Sequence, residues 1–234
     1  MDTINLYCLP FSGGSKYSYK AFSQYAPPFL NIIPLEIPGR GSRSGEELLT
    51  DIELTADDVF DQIKNGLDKP YAIYGHSMGG ILAYLLARRI IDAGLDQPLH
   101  LFVTGCVAPS LKYRDLVDHT LPKEEFLQKI KDLGGSPDSV LSNPALMEFF
   151  EPILRADFEA VATYKHIPAA PFSIPVSAVL GDAENATIEE AMQWQKETTA
   201  TVDVKTLPGN HFFIFEHPDY IIQMISRKLQ LQHA

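Results

Sequence analysis

A serine in the segment Gly75-His76-Ser77-Met78-Gly79 is the residue of this chain best placed to act as a nucleophile. The segment follows an apolar run at residues 71–74 and precedes a helix-like stretch at residues 81–91, so Ser77 falls on a predicted strand-to-helix turn. In a nucleophile elbow the serine takes a strained backbone conformation, and small residues two positions before and after it let strand and helix cross closely. The two glycines of the segment occupy those positions. The pattern therefore predicts a serine that attacks a carbonyl carbon.

A serine hydroxyl needs a base to take its proton, and the chain has seven histidines. Catalytic triads on a strand-elbow-helix unit run in the order serine, acid, histidine, so the base should follow the last strand. His211 stands in the loop just after the last predicted strand, whereas His217 precedes Pro218 at the predicted start of the terminal helix. We assign the base to His211. His76 adjoins the nucleophile and is interpreted as a packing residue, because adjacent side chains around a tight turn diverge. His100 starts a strand, His119 and His166 belong to the insertion at residues 109–171, and His233 lies in the tail.

The acid of the triad should lie in the loop after the strand predicted at residues 175–181. A carboxylate there would hold the imidazole in one tautomer and stabilise the imidazolium. Asp182 and Glu184 can both reach the histidine in principle. Asp182 could instead bond its own backbone as a turn residue.

An oxyanion hole is the fourth element, formed by the amide after the nucleophile and an amide from the loop after an early strand. Met78 supplies the first amide. The diglycine loop Leu9-Pro10-Phe11-Ser12-Gly13-Gly14 supplies the second, through Phe11 or Ser12. The loop is not followed by G-x-x-x-x-G-K-[ST], so it is not interpreted as a phosphate-binding P-loop.

Six short apolar or β-branched runs predict the strands that position these groups, at residues 4–9, 32–37, 71–75, 99–105, 175–181 and 202–207. Segments of helical period lie between them, and the stretch after Ser77 is apolar nearly all round until Arg88 and Arg89. Alternating strands and helices predict a mainly parallel central sheet covered by helices on both faces. We expect one α/β domain over residues 1–234, with the α/β-hydrolase fold.

From about residue 109 to residue 171 the alternation stops, and helical patterns follow one another without a strand. A broad apolar stripe over residues 146–161 is interrupted only by Pro152. Such a stripe is typical of plain core packing. It would also suit a helical lid insertion whose inner face lines a pocket for an acyl chain.

The composition and net charge of the chain indicate which classes of binding partner to expect. The formal net charge of -11 argues against nucleic acid, because phosphate binding needs a basic face. We see no basic signal region and no apolar run of membrane-spanning length, so we expect a cytoplasmic protein without a membrane partner. Cys8 and Cys106 lie in apolar runs and are interpreted as buried residues. The spacing of histidines, cysteines and carboxylates predicts no metal site.

The chain resembles the type II thioesterases, the stand-alone α/β hydrolases that accompany nonribosomal peptide and polyketide synthetases. The resemblance runs almost end to end and is carried by Leu9-Pro10-Phe11-Ser12-Gly13-Gly14, Ile37-Pro38-Gly39-Arg40-Gly41 with Arg43, Tyr74-Gly75-His76-Ser77-Met78-Gly79-Gly80, Leu133-Gly134-Gly135-Ser136-Pro137, Leu154-Arg155-Ala156-Asp157-Phe158 and Pro208-Gly209-Asn210-His211-Phe212-Phe213. It implies hydrolysis of acyl groups stalled as thioesters on the phosphopantetheine arm of carrier proteins. The enzyme itself would need no cofactor, because the substrate carries the phosphopantetheine.

The resemblance also bears on the acid. Family members usually place an aspartate three residues after the glycine that ends the penultimate strand, and here that position is Glu184. Glutamate is a departure, so we favour Glu184 and keep Asp182 as the alternative. Asn210 likewise stands where the family commonly has a second glycine.

Two other functions stay open at this point. The same triad could serve a small-molecule carboxylester hydrolase or acyltransferase, and the unsettled acid allows a catalytically silent hydrolase-fold binding protein. Carrier proteins are often acidic, as this chain is, so attraction to one would need the apolar lid surface or a local basic patch. Candidates for such a patch, or for an ordinary solvated basic face, are Arg40, Arg43, Arg88 and Arg89.

Overall fold

The computed structural model describes residues 3–111, 116–134 and 143–232, so His233 and residues 135–137 of the fourth family segment lie outside the described part. Its centre is a six-stranded sheet in the order β2-β1-β3-β4-β5-β6, in which every neighbouring pair is parallel. The strands are β1 (Ile4–Leu9), β2 (Leu30–Pro34), β3 (Tyr71–His76), β4 (Leu101–Thr104), β5 (Val176–Gly181) and β6 (Val202–Leu207). The predicted parallel sheet and the α/β class are confirmed.

Helices cover both faces of the sheet: α1 (Phe22–Tyr25), α2 (Ile52–Ile63), α3 (Met78–Asp92), α4 (Lys123–Leu133), α5 (Pro144–Thr163), α6 (Ile188–Met192) and α7 (Pro218–Gln232). Along β3, Tyr71 and Ile73 face the core that contains α2 and α3, while Ala72 and Tyr74 face the core that contains α7. A central strand buried on both faces is a nearly continuous apolar run, which is why residues 71–74 of β3 show no alternation. No helix in the described ranges has the length and apolar character needed to cross a membrane.

Strand β2 was predicted at residues 32–37 and lies at Leu30–Pro34. It therefore begins two residues earlier and ends three residues earlier than predicted. The ladder ends at Pro34, which lacks an N–H and is tolerated because β2 is an edge strand. Leu35 and Ile37 are nevertheless buried. Their apolar character therefore reflects burial in the loop that follows the strand, and the prediction of a strand to residue 37 was wrong.

The chain between β4 and β5 contains α4 and α5, which we call the helical insertion. It has a small core of its own, formed by Val117, Phe126, Ile130, Met147, Leu154 and Phe158. Helix α5 is 20 residues long and contains Pro152 in its interior, so the proline does not break the apolar stripe. The Arg155 guanidinium lies 4.3 Å from the ring centre of Phe126. The same guanidinium donates hydrogen bonds to the backbone carbonyls of His119 and Leu121, which lie just before α4.

Strand order decides where a site can form. The chain leaves β1 for β2 on one side and then returns to β3 on the other side of β1. The loops after β1 and β3 consequently diverge and leave a crevice at the carboxyl edge of the sheet, where ligands bind in open parallel sheets. The diglycine loop and Ser77 border this crevice.

Candidate active site

Ser77 stands on a sharp turn between β3 and α3. Its φ of 54° is the only positive value of a non-glycine residue in the described part of the chain. The Ser77 N–H donates to the Thr104 carbonyl at 2.8 Å, and the Ser77 carbonyl accepts from the Gly80 N–H at 2.8 Å. A Cβ at Gly75 would lie 1.9 Å from the Gly79 carbonyl oxygen. The crossing of strand and helix therefore requires glycine, and the backbone strain at Ser77 is of the kind found at functional sites.

His211 is held by Glu184. The imidazole Nδ1 lies 2.5 Å from Glu184 Oε1, and the carboxylate is almost fully buried. The second carboxylate oxygen accepts from the Gly181 N–H at 2.6 Å. A carboxylate at Nδ1 places the ring proton there and leaves Nε2 as the nitrogen that can act as a base.

Asp182 makes a different contact. Its Oδ1 accepts from the Gly209 N–H at 3.0 Å, and its own N–H donates to the Leu207 carbonyl at 2.8 Å. The neighbouring Ala183 N–H donates to the Gly209 carbonyl at 3.0 Å. Of the two acids left open by the sequence, the structure brings Glu184 to the imidazole and uses Asp182 to hold the backbone of the histidine loop.

His76 packs beside the His211 ring. Its ring is buried, its Nδ1 lies 3.0 Å from Thr104 Oγ1, and its centroid is 4.8 Å from that of His211. Burial, and secondarily the proximity of His211, lowers the pKa of His76 well below its usual value, so this imidazole is neutral. A Cβ at Gly105 would lie 2.6 Å from His76 Cε1 and 3.1 Å from His211 Cε1. The glycine after β4 thus makes room for both rings, and His76 is the packing residue that its position suggested.

One cavity of about 560 Å³ collects the predicted groups. Its lining includes Ser77, His211, Glu184, Met78 and Phe11. The chain between β4 and β5 contributes apolar side chains to the lining: Leu116, Val117, Leu121, Leu133, Phe158 and Val161. It also contributes the charged Asp118, Lys129 and Asp132, and Glu190 of α6 is a fourth charged residue of the lining. The cavity can therefore hold an acyl group against its apolar side chains and a polar chain against its charged ones, with both next to Ser77.

The loop that should supply the second oxyanion amide is a tight turn. The Gly14 N–H donates to the Phe11 carbonyl at 2.8 Å, and Gly13 has a φ of 78°. The Phe11 ring is buried among other aromatic rings, edge-on to Tyr19 and His76. The Phe11 carbonyl is bonded within the turn and the Phe11 ring is packed in the core, so the backbone of this residue is fixed in place.

The four candidate arginines do not form a basic patch. Arg40 is buried and bound to Asp157, and Arg43 pairs with Glu46 and Asp58. The two helix arginines also pair with carboxylates: Arg88 with Glu197, and Arg89 with Glu53 and Asp57. Because each charge is matched, the interpretations as a patch and as a free solvated face were both wrong for these residues.

From the sequence, Asp157 was assigned no role at this site, and Arg40 was only a candidate for a basic patch. Asp157 Oδ2 accepts from the Gly13 N–H at 2.7 Å, and Arg40 binds both oxygens of that carboxylate at 2.6 and 2.7 Å. The available signal was a single aspartate on the apolar face of a helical stripe. A buried charge is costly unless paired, so that aspartate called for a cationic partner elsewhere in the chain.

Both cysteines are buried, and burial raises the pKa of the Cys8 thiol. In the described ranges, no group of three or more histidine, cysteine and carboxylate side chains has an arrangement that could hold a metal ion.

Comparison with known proteins matches residues 4–229 to the thioesterase domain family. The chain belongs to the thioesterase family. This thioesterase is 31% identical to the gramicidin S biosynthesis protein GrsT of Aneurinibacillus migulanus, over 97% of this chain and 90% of that protein. Two solved structures of related sequence also share the fold of this thioesterase. ClbQ from the colibactin NRPS/PKS pathway superposes with a TM-score of 0.94 at 33% identity, covering 99% of each chain.

The type II thioesterase BorB from the borrelidin biosynthetic cluster superposes with a TM-score of 0.87 at 31% identity, covering 97% of this chain and 93% of BorB. The resemblance to type II thioesterases and the α/β-hydrolase fold are therefore confirmed, and the thioesterase is a hydrolase.

Proposed function

We propose that this thioesterase removes aberrant or stalled acyl groups from the phosphopantetheine arm of carrier proteins in nonribosomal peptide or polyketide biosynthesis. The observation that carries the proposal is the 2.5 Å contact between His211 Nδ1 and Glu184 Oε1, in a cavity that the strained Ser77 also lines. The relatives support the pathway class, because the names of GrsT and ClbQ place them in gramicidin S biosynthesis and a colibactin NRPS/PKS pathway.

The proposed reaction uses these groups in turn. Ser77 attacks the thioester carbonyl while His211 Nε2 takes its proton, and Glu184 stabilises the resulting imidazolium. The amides of Met78 and Phe11 hold the developing oxyanion. Collapse expels the pantetheine thiol, whose pKa of about 8.5 makes it an easier leaving group than an alcohol or amine. Water deprotonated by His211 then releases the acid and restores the serine.

The same proposal assigns residues 109–171 the role of a lid on a single domain. Phe158 and Val161 of α5 face the cavity and would contact the acyl chain. Because the four arginines are paired with carboxylates, we assign contact with the carrier protein to the apolar surface of the insertion. Leu146 and Phe149 are exposed there. The phosphopantetheine would arrive with the carrier, so the enzyme needs no cofactor of its own.

Single-turnover hydrolysis of an acetyl- or aminoacyl-phosphopantetheinyl carrier protein tests this function. Ser77→Ala should lower the rate at least 1,000-fold, because the acyl-enzyme cannot form. Ser12→Ala is the matched control, since Ser12 lines the same cavity but would act only through its backbone. Equal rates for wild type and Ser77→Ala would contradict the proposal.

Two further outcomes point to the alternative functions. Turnover of short aryl esters well above that of every carrier-bound thioester would favour a carboxylester hydrolase or acyltransferase. A failure of a fluorophosphonate to label Ser77, together with no hydrolysis, would favour a catalytically silent binding protein.

A further inference from the structure

The diglycine turn is bound by a residue of the helical insertion. Residues 11–14 form a turn with the hydrogen bond and the positive φ at its third position that define type II. The only hydrogen bond within such a turn joins its first and last residues, so the N–H of its central peptide needs a partner outside the turn. That partner is Asp157 of α5, whose Oδ2 lies 2.7 Å from the Gly13 nitrogen.

Arg40 completes the arrangement. Its guanidinium binds both oxygens of Asp157 and lies 3.3 Å from the Gly14 carbonyl oxygen, so the ion pair contacts a donor and an acceptor of the same turn. Both side chains are nearly inaccessible to water, at 3% and 2% exposure. A pair buried to this extent contributes little net stability compared with an apolar replacement, but it fixes geometry, because removing one partner leaves an uncompensated charge.

Helix α5 makes a second contact with the turn through Leu154. A Cβ on Gly13 would lie 2.5 Å from Leu154 Cδ2, so the helix packs directly on this glycine. Leu154 and Asp157 are three residues apart and share a helix face, and Phe158 and Val161 of the same helix line the cavity. One rigid element therefore touches both the acyl pocket and the turn.

We propose that the Arg40–Asp157 pair is a positioning device for the oxyanion hole, and that it makes formation of the hole depend on the seating of α5. Asp157 touches neither substrate nor reacting atoms; it acts by holding the turn that presents the Phe11 amide. The inference rests on the proposed function, because it assigns these residues a part in thioester hydrolysis.

The test compares Asp157→Asn and Arg40→Lys with wild type. Asparagine keeps the shape but removes the charge that binds Arg40, and lysine keeps the charge but loses the two-pronged contact. We expect kcat to fall roughly 10- to 100-fold in Asp157→Asn, less than the loss of a whole oxyanion donor, with KM within about twofold of wild type. The pH profile of kcat/KM should keep its shape, because His211 is untouched.

A pair of ligands separates positioning from general damage. A trifluoromethyl ketone analogue of the acyl-pantetheine forms a tetrahedral oxyanion with Ser77 and should lose affinity by about the same factor as kcat. The matching thioether, which forms no oxyanion, should bind as in wild type. Equal losses for the two ligands, or an unchanged kcat in Asp157→Asn, would overturn the proposal. If Asp157→Asn does not fold, Arg40→Lys is held to the same criteria.

Glu151→Gln is the control variant. Glu151 lies on α5 and pairs with Lys123 and Arg155, so its loss weakens the insertion without contact to the diglycine turn. It should leave both kcat and ketone affinity within about twofold of wild type. Absence of carrier-thioester turnover by the wild type would instead contradict the proposed function, and the ketone–thioether comparison would still decide the positioning role.

Discussion

Asp182 and Glu184 are two residues apart, yet their carboxylates hold different parts of one loop. Asp182 accepts from the Gly209 N–H at 3.0 Å, and Glu184 contacts the His211 ring at 2.5 Å. Glu184 also accepts from the Gly181 N–H, which fixes its position at the end of β5. The turn after β5 thus supplies one carboxylate for the backbone and another for the imidazole.

The first prediction concerns these two acids. Glu184→Gln should lower kcat roughly 1,000- to 10,000-fold, because an amide favours the wrong imidazole tautomer and does not stabilise the imidazolium. Asp182→Asn should cost less than 10-fold, since an amide oxygen can still accept from Gly209. Steady-state kinetics on a carrier-bound thioester would measure both. A larger loss in Asp182→Asn than in Glu184→Gln would reverse the assignment.

The second prediction concerns the elbow. Gly75→Ala should destabilise the protein by about 3 kcal/mol or more, because the new methyl would overlap a backbone carbonyl that cannot move without displacing α3. Gly45→Ala is the control, since a Cβ there meets no atom within 4 Å and should change stability by less than about 0.5 kcal/mol. Urea unfolding of the two variants gives the comparison. Similar midpoints would show that the elbow tolerates a side chain.

The third prediction concerns pH and His100. This buried imidazole lies 2.9 Å from Ser177 Oγ, and burial, helped by Lys228 and opposed by Asp203, lowers the pKa of His100 from 6.5 to about 4. The unfolded chain therefore binds the proton first. The contribution to stability is complete above pH 6.5 and is lost as the pH falls towards 4, by up to about 3 kcal/mol.

A His100→Gln variant isolates this contribution, because the amide can bond Ser177 but does not titrate. The free energy of unfolding of wild type minus that of the variant should decrease by about 3 kcal/mol between pH 7 and pH 4. Other titrating groups, including His76, occur in both proteins and cancel. A difference that stays constant with pH would show that folding does not lower the pKa of His100.

The fourth prediction concerns the thiols. Only a thiolate reacts rapidly with iodoacetamide, and burial both shields Cys8 and Cys106 and raises the pKa of Cys8. Native protein should keep its activity during a treatment that, in urea, adds two carbamidomethyl groups per chain. Mass spectrometry counts the groups. Rapid labelling and inactivation of the native enzyme would indicate that a cysteine is accessible at the site.

The sequence by itself determined the elements whose signals are local. The elbow is five consecutive residues, the central strands are short apolar runs, and His211 follows the last strand within one loop. Each of these signals lies within a short stretch of the chain, so these features could be predicted from the sequence alone. Even β2, whose bounds were wrong, was placed in the correct region.

Only the tertiary structure decided which charges meet. The choice of Glu184 over Asp182 depends on a turn in which both acids lie close to the histidine loop and only one reaches the ring. Arg40 and Asp157 are 117 residues apart, so no local pattern could pair them. Charged side chains find their partners across space, and the energy of a pair depends on its distance and burial, which exist only once the chain has folded.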